Sequence, residues 1–172
     1  NGQANIFHIN SLDYPQGSKN DELEKIRTTI QQSIASSPDR KYPFKTEDAR
    51  EKFDLIFTNP PFGAKVEVDF EISKRYELGH NWSKDINGNF IMSNNASSSE
   101  APEVLFIEQC YNFLKPGGRL AIVLPDGILG NPNTEYVRAW ILTRFKLLAS
   151  IDLPVDTFLP QIGVQASLLF LQ

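Results

Sequence analysis

The sequence holds a single cysteine, Cys110, so no disulfide can form within the chain. It has no run of about 18 apolar residues, the length a membrane-spanning helix needs. No secretory leader is visible, and a cytoplasmic protein is the expectation. The two histidines, His8 and His80, lie in unrelated contexts with no ligand spacing between them, and beside one cysteine they make no credible metal site. Positive charge is also short: 17 Lys and Arg against 21 Asp and Glu leave a net charge of −4. Proteins that grip a nucleic-acid duplex normally set Lys and Arg against phosphate, so such a grip would have to come mainly from another domain or subunit. No internal repeat is present. The chain opens at Asn1 rather than Met, which reads as a processed chain or a fragment. What remains is ordinary for one folded domain with a core: 172 residues, 41% hydrophobic and 22% charged.

Along the chain, strand and helix signals alternate. Asn5-Ile6-Phe7-His8-Ile9-Asn10 reads as a short strand. Leu23, Ile26, Ile30 and Ile34 then recur at helical spacing, with Asn20 as cap and Asp21 and Glu22 favourable in the first turn. Pro38 and Pro43 end that helix. Phe53 to Thr58 is strand-like. A polar insertion from Gly63 to about Ser99 follows, with few large apolar residues and no period; it reads as mobile or partner-dependent. Pro102 to Leu114 is a helix apolar enough to be largely buried, and Cys110 sits on its apolar face as a core residue. Lys115-Pro116-Gly117-Gly118 stops it. Arg119 to Leu124 runs almost continuously apolar, as a central strand covered on both faces should. Glu135 to Phe145 is a helix, Leu148 to Leu153 a strand and Gln165 to Leu171 a final strand.

One local feature carries chemistry. Asn59-Pro60-Pro61-Phe62 follows the strand Phe53 to Thr58, so an amide, two rigid prolines and an aromatic ring stand at the carboxyl end of a strand, where open α/β sheets bind ligands. The plain alternative is a strand-ending turn, since Asn-Pro initiates turns and proline cannot continue a central strand.

The tetrapeptide with its strand resembles the catalytic loop of the adenine-N6 DNA methyltransferases. Further pieces extend the likeness from about Phe53 through Gln172: Leu114-Lys115-Pro116-Gly117-Gly118 with the apolar strand to Leu124, Pro125-Asp126-Gly127, Leu153-Pro154 with Thr157-Phe158, and Gly163-Val164-Gln165. Lys-Pro-Gly-Gly before a strand is shared by many class I methyltransferases. Its combination with Asn-Pro-Pro-Phe is similar to the modification subunit of type I restriction-modification systems. The resemblance implies an α/β fold: a partial Rossmann-like sheet of the class I S-adenosylmethionine-dependent kind, with an antiparallel final strand and without the family's first two strands. It also implies a single partial catalytic domain over residues 1–172, interrupted by the insertion at about 63–99.

The implied reaction moves a methyl group from S-adenosylmethionine to the exocyclic amine of adenine in DNA. That nitrogen is a poor nucleophile because its lone pair is delocalised into the ring. The Asn59 side-chain oxygen and the Pro60 carbonyl could each accept one N–H and free the lone pair to attack. Pro60 and Pro61 fix the backbone and offer no competing donor. Phe62 offers a ring on which an extruded base stacks, and Phe158 resembles the family's second aromatic, which packs edge-on against it; a core phenylalanine is the competing reading. An amide does not titrate, so Asn59 is no base, and the surplus proton leaves to water or to a group the sequence does not identify.

In the family, a strand upstream of the loop ends in an acidic residue that holds the cofactor's adenine. Asn10 stands in that position, as an amide that can still hydrogen-bond; a polar strand end is the alternative. No strand, glycine-rich loop and helix precede Asn5, so the isolated chain is expected to bind S-adenosylmethionine weakly or not at all and to be inactive. The implied partners are DNA and the specificity and restriction subunits of a type I system, with no membrane. A non-catalytic DNA- or subunit-binding module derived from a methyltransferase is the rival, and methylation of a glutamine or an RNA base a third reading. In the insertion, Lys65, Lys74, Arg75 and Lys84 face phosphate on one reading. On the other they belong to a solvated loop with Glu67, Asp69, Glu71 and Asp85 interleaved. Trp82 is either a stacking anchor or part of a local cluster.

Overall fold

The computed structural model describes residues 6–15, 21–35, 53–62, 68–97, 100–160 and 163–172. They fall in two compact units, Asn1–Arg50 and Glu51–Gln172.

In the first unit, helix α1 spans Asp21–Ala35, as the apolar spacing predicts; Asn20, Pro38 and Pro43 lie outside the described residues. The strand expected over Asn5 to Asn10 is not formed by residues 6–10, and Asn5 is outside the described set. A strand needs a ladder partner and cover for its apolar face, and Ile6 is 92% exposed. Instead the chain turns: the Asn10 carbonyl accepts the Asp13 and Tyr14 N–H groups at 3.1 and 3.3 Å.

The second unit is built on a four-stranded sheet ordered β1-β4-β6-β5. Strand β1, Phe53–Thr58, runs parallel to β4, Leu114–Pro125, with Ile56 opposite Leu120 and Thr58 opposite Ile122. Strand β6, Ala166–Leu171, lies antiparallel between β4 and β5, Leu147–Asp152, so the final strand is antiparallel as expected. Leu120, Ile122, Leu124 and Leu171 are fully buried, which accounts for the unbroken apolar run in β4. At the edge, β1 makes one ladder among the described residues and leaves Phe57 71% exposed.

Helix α3, Pro102–Phe113, starts on a proline at its first turn and buries Val104, Leu105, Ile107 and Cys110. Lys-Pro-Gly-Gly does more than end this helix. Phe53 pairs Leu114 and Leu55 pairs Arg119, so Lys115–Gly118 loops out as a bulge within β4. Gly117 takes φ 78°, a conformation that glycine adopts without strain. The Lys115 Nζ closes the bulge on the Asp54 carboxylate at 2.8 and 2.9 Å.

The insertion departs most from expectation. Residues 63–67 and 98–99 lie outside the described set, but residues 68–97 are ordered into elements. Asp69 caps the short helix α2, Phe70–Ser73, by accepting the Glu71 N–H at 2.7 Å. A 3₁₀ turn, Glu77–Gly79, leads into an antiparallel hairpin of β2, His80–Lys84, and β3, Phe90–Ala96. Leu78 is 0% exposed and Tyr76 is buried. The buried Glu108 carboxylate on α3 accepts the Glu77 and Leu78 N–H groups at 3.0 and 2.9 Å. The hairpin's polarity is that of a two-stranded ribbon with one face in water, and its apolar anchors are too few to set a visible period.

Downstream come α4, Asp126–Gly130, and α5, Glu135–Arg144. Helix α5 meets the hairpin, with Trp82 stacked on Tyr136 at 5.9 Å and 20°. Trp82 is thus in a local cluster, its Nε1 donating to the Glu77 carbonyl at 3.1 Å. Lys84 pairs with Glu135 at 2.8 Å, and Lys74 pairs with Glu71. The Arg75 Nε donates to the Glu71 carbonyl at 3.1 Å. Lys65 and Glu67 lie outside the described residues. No helix among the described residues is long and apolar enough to cross a membrane.

Candidate active site

Parallel pairing of β1 with β4, and the two antiparallel ladders through β6, bring the carboxyl ends of β1, β4 and β5 to one edge of the sheet. Each end runs straight into a segment singled out in the sequence: Asn59 to Phe62 after β1, Asp126-Gly127 after β4, and Leu153-Pro154 to Phe158 after β5. This common edge is where an α/β sheet presents loops to a ligand.

Asn59 and Pro61 are exposed, and Pro60 and Phe62 are buried, Phe62 to 4%. The alternation leaves the Asn59 amide open to solvent while the ring beyond it is tucked in. Phe158 closes the 3₁₀ turn Val155–Phe158. Its ring meets that of Phe62 edge to face, with centroids 5.3 Å apart and planes at 87°, an arrangement favoured by the opposed charge of ring face and edge. The two aromatics named from the sequence are therefore in contact. Within the Phe158 turn, the Thr157 N–H and hydroxyl both donate to the Pro154 carbonyl, at 2.9 and 2.6 Å.

Asn10 belongs to the first unit. Its side-chain oxygen accepts the Leu12 N–H at 3.0 Å, so that oxygen serves its own turn and the amide nitrogen is left to donate.

A second cluster at this edge has no signature in the sequence. The Ser167 hydroxyl, at the start of β6, lies 2.8 Å from Asp126 Oδ1 and 3.2 Å from Asp152 Oδ1. Backbone bonds flank it: Asp126 N–H to the Gln165 carbonyl at 3.0 Å and Leu153 N–H to the Ala166 carbonyl at 2.9 Å.

Other titratable groups lie off this edge. Burial pushes the Cys110 thiol up to about 12, which makes it a core group and no nucleophile. Burial also raises Glu108, against the pull of its two N–H donors.

Comparison with known proteins agrees with this layout. Over 121 residues, 70% of this chain and 21% of the relative, the chain is 28% identical to the type I restriction enzyme EcoEI methylase subunit of Escherichia coli. A solved chain from a type I restriction-modification system aligns at 29% identity and a TM-score of 0.53, over 77% of this chain and 25% of that one. A class I S-adenosylmethionine-dependent methyltransferase structure from Listeria monocytogenes aligns at 26% identity and a TM-score of 0.51, over 70% of this chain and 32% of that one. The chain thus spans a third or less of the length of these relatives. The mixed sheet is that of the class I methyltransferases, and the family model for N-6 DNA methylase matches residues 4–172. By that match, this chain belongs to the N-6 DNA methylase family.

Proposed function

We propose that the protein carrying this chain transfers a methyl group from S-adenosylmethionine to the N6 amine of adenine in DNA, as the modification subunit of a type I restriction-modification system. DNA and the specificity and restriction subunits are its partners on this reading, and the cytoplasm its location. The observation that carries it is Asn59-Pro60-Pro61-Phe62 at the carboxyl end of β1 with Phe158 packed against Phe62. A strand-ending turn gives no reason for a second aromatic to arrive there from beyond β5.

The cofactor supplies the electrophilic methyl group when bound. What the chain's own residues do is act on the acceptor. The Asn59 oxygen, exposed at the mouth, and the Pro60 carbonyl each take one N–H of the adenine amine, which turns the nitrogen lone pair out of the ring. The prolines hold both acceptors in place before the base arrives. Phe62 and Phe158 form the aromatic wall. Because Phe62 is buried against Phe158, an extruded base must part the pair to stack on Phe62. The Asn59 amide takes no proton, and the one released from the methylated amine passes to water.

The direct test is adenine methylation by a full-length methylase carrying this chain, compared with its Asn59→Ala variant. A fall in turnover on the order of 10²-fold supports the role; equal turnover removes it.

A further inference from the structure

We propose that Ser167 is a positioning residue of this site: with Asp126 and Asp152 it clasps the ends of β4, β5 and β6, and so sets Phe158 against Phe62. The proposal rests on reading that aromatic pair as the base-packing wall, although the measurement that decides the clasp uses no DNA.

Ser167 is 3% exposed in a strand that otherwise reads Ala166, Leu168, Leu169, Phe170, Leu171. Packing alone would be served as well by alanine, so the hydroxyl is there for its bonds, and a buried hydroxyl needs a partner. It has two, one from each neighbouring strand end. A hydroxyl carries one proton, which goes to Asp126 at the shorter distance, while Asp152 is the second acceptor within reach. The single O–H is shared unequally between the two carboxylates, and it adds a side-chain tie to the backbone ladders that already pair Asp152 with Ser167 and Pro125 with Ala166. Asp152 is the last residue of β5, and Leu153-Pro154 leads from it directly into the turn that ends at Phe158. The backbone bonds from Leu153 and Asp126 close the rest of the loop's base. Release of the Asp152 carboxylate therefore removes the side-chain tie at the amino-terminal stem of the Phe158 turn and leaves the stem to the Leu153 backbone bond.

The test is nuclear Overhauser contact between the Phe62 and Phe158 rings in the 172-residue chain with phenylalanine rings selectively labelled. Wild type should show the contact, Ser167→Ala should lose it, and Ser167→Thr, which restores a hydroxyl, should recover it. Val137→Ala in α5 lowers stability without touching the clasp and should keep the contact, which separates positioning from general loosening. Asp152→Asn should also keep it, because its amide donates to the serine oxygen while the serine donates to Asp126. A folded Ser167→Ala chain with the contact intact overturns the proposal. If that variant does not fold, exposed Asp152→Ala decides instead: loss of the contact supports the clasp and retention overturns it. Should the clasp hold while Phe158→Ala leaves adenine methylation untouched in the full-length protein, the functional reading of the pair fails and the clasp stands.

Discussion

Replacing Leu78 by alanine asks whether the segment between the Asn-Pro-Pro-Phe loop and α3 is an integral part of the domain. Leu78 is wholly buried and its N–H is held by Glu108. Truncating a buried leucine costs about 2–5 kcal/mol, with the upper end where the surroundings cannot collapse into the space. Here they cannot collapse easily. The next residue, Gly79, is so close to the α2 turn that a Cβ on it would lie 2.0 Å from the Ser73 carbonyl oxygen. A loss of about 3–5 kcal/mol is therefore expected, a large part of a typical total of roughly 5–15 kcal/mol. Urea unfolding measures it, and native-state hydrogen exchange locates it. Wild-type amides in the ladder between Trp82–Lys84 and Phe90–Met92 should be protected, and Leu78→Ala should cut that protection about a hundredfold or more. If β4 loses protection in step, hairpin and sheet unfold as one; if β4 keeps it, the hairpin opens alone. A loss below about 1 kcal/mol, or free exchange of the wild-type hairpin, would refute the packing argument.

Two further outcomes follow from the same geometry. Glu100, Glu103 and Glu108 are all raised above the ordinary glutamate value of 4.5, chiefly by burial. A carboxyl raised in the folded state adds stability below its unfolded value and loses it as pH rises through the folded one. For Glu108, the gap in unfolding free energy between wild type and Glu108→Gln should change in that direction as pH rises from about 4.5; a gap independent of pH would show that Glu108 is not shifted. Gly118→Ala would bring a Cβ to 2.9 Å from the Lys115 carbonyl oxygen and 3.1 Å from that of Phe53. Neither backbone atom can yield, so thermal unfolding should register a loss of about 1–3 kcal/mol, and an unchanged midpoint would mean the bulge is loose.

The strands and helices with strong local signals were legible. Helices α3 and α5 and strands β5 and β6 stand within a residue of their expected bounds, whereas β4 begins at Leu114, five residues before the expected Arg119, because the Lys115–Gly118 bulge lies inside it. The hairpin was missed although a signal existed. Asn87-Gly88 lies between Trp82-Ser83-Lys84 and Phe90-Ile91-Met92, a turn pair between two short strands, and Gly88 takes φ 83°. The alternation is broken in β3, where the neighbours Ile91 and Met92 are both exposed and Asn94 and Asn95 follow one another. The expected strand before Asn10 failed for the opposite reason, since its alternation is fair but a strand is made by its neighbours. The resemblance sets Phe62 and Phe158 each against the base; their contact with one another was not legible, because no period links residues on different loops. Ser167 was invisible, since its partners lie 41 and 15 residues away along the chain and only the sheet order brings them together.

The claim that matters most is that Asn59 to Phe62 handles an extruded adenine. It is tested most directly by methylation kinetics of the full-length protein on DNA with either a paired or a mismatched target adenine. Asn59→Ala should lose turnover by about 10²-fold or more on both substrates, because its hydrogen bond acts on the amine once the base is out. Phe62→Ala removes a stacking surface worth roughly 1–3 kcal/mol per base. The mismatch, which eases extrusion, should restore part of that loss and none of the Asn59 loss. Methylation of both substrates at the parent rate by both variants would contradict the account and leave Asn-Pro-Pro-Phe as a turn.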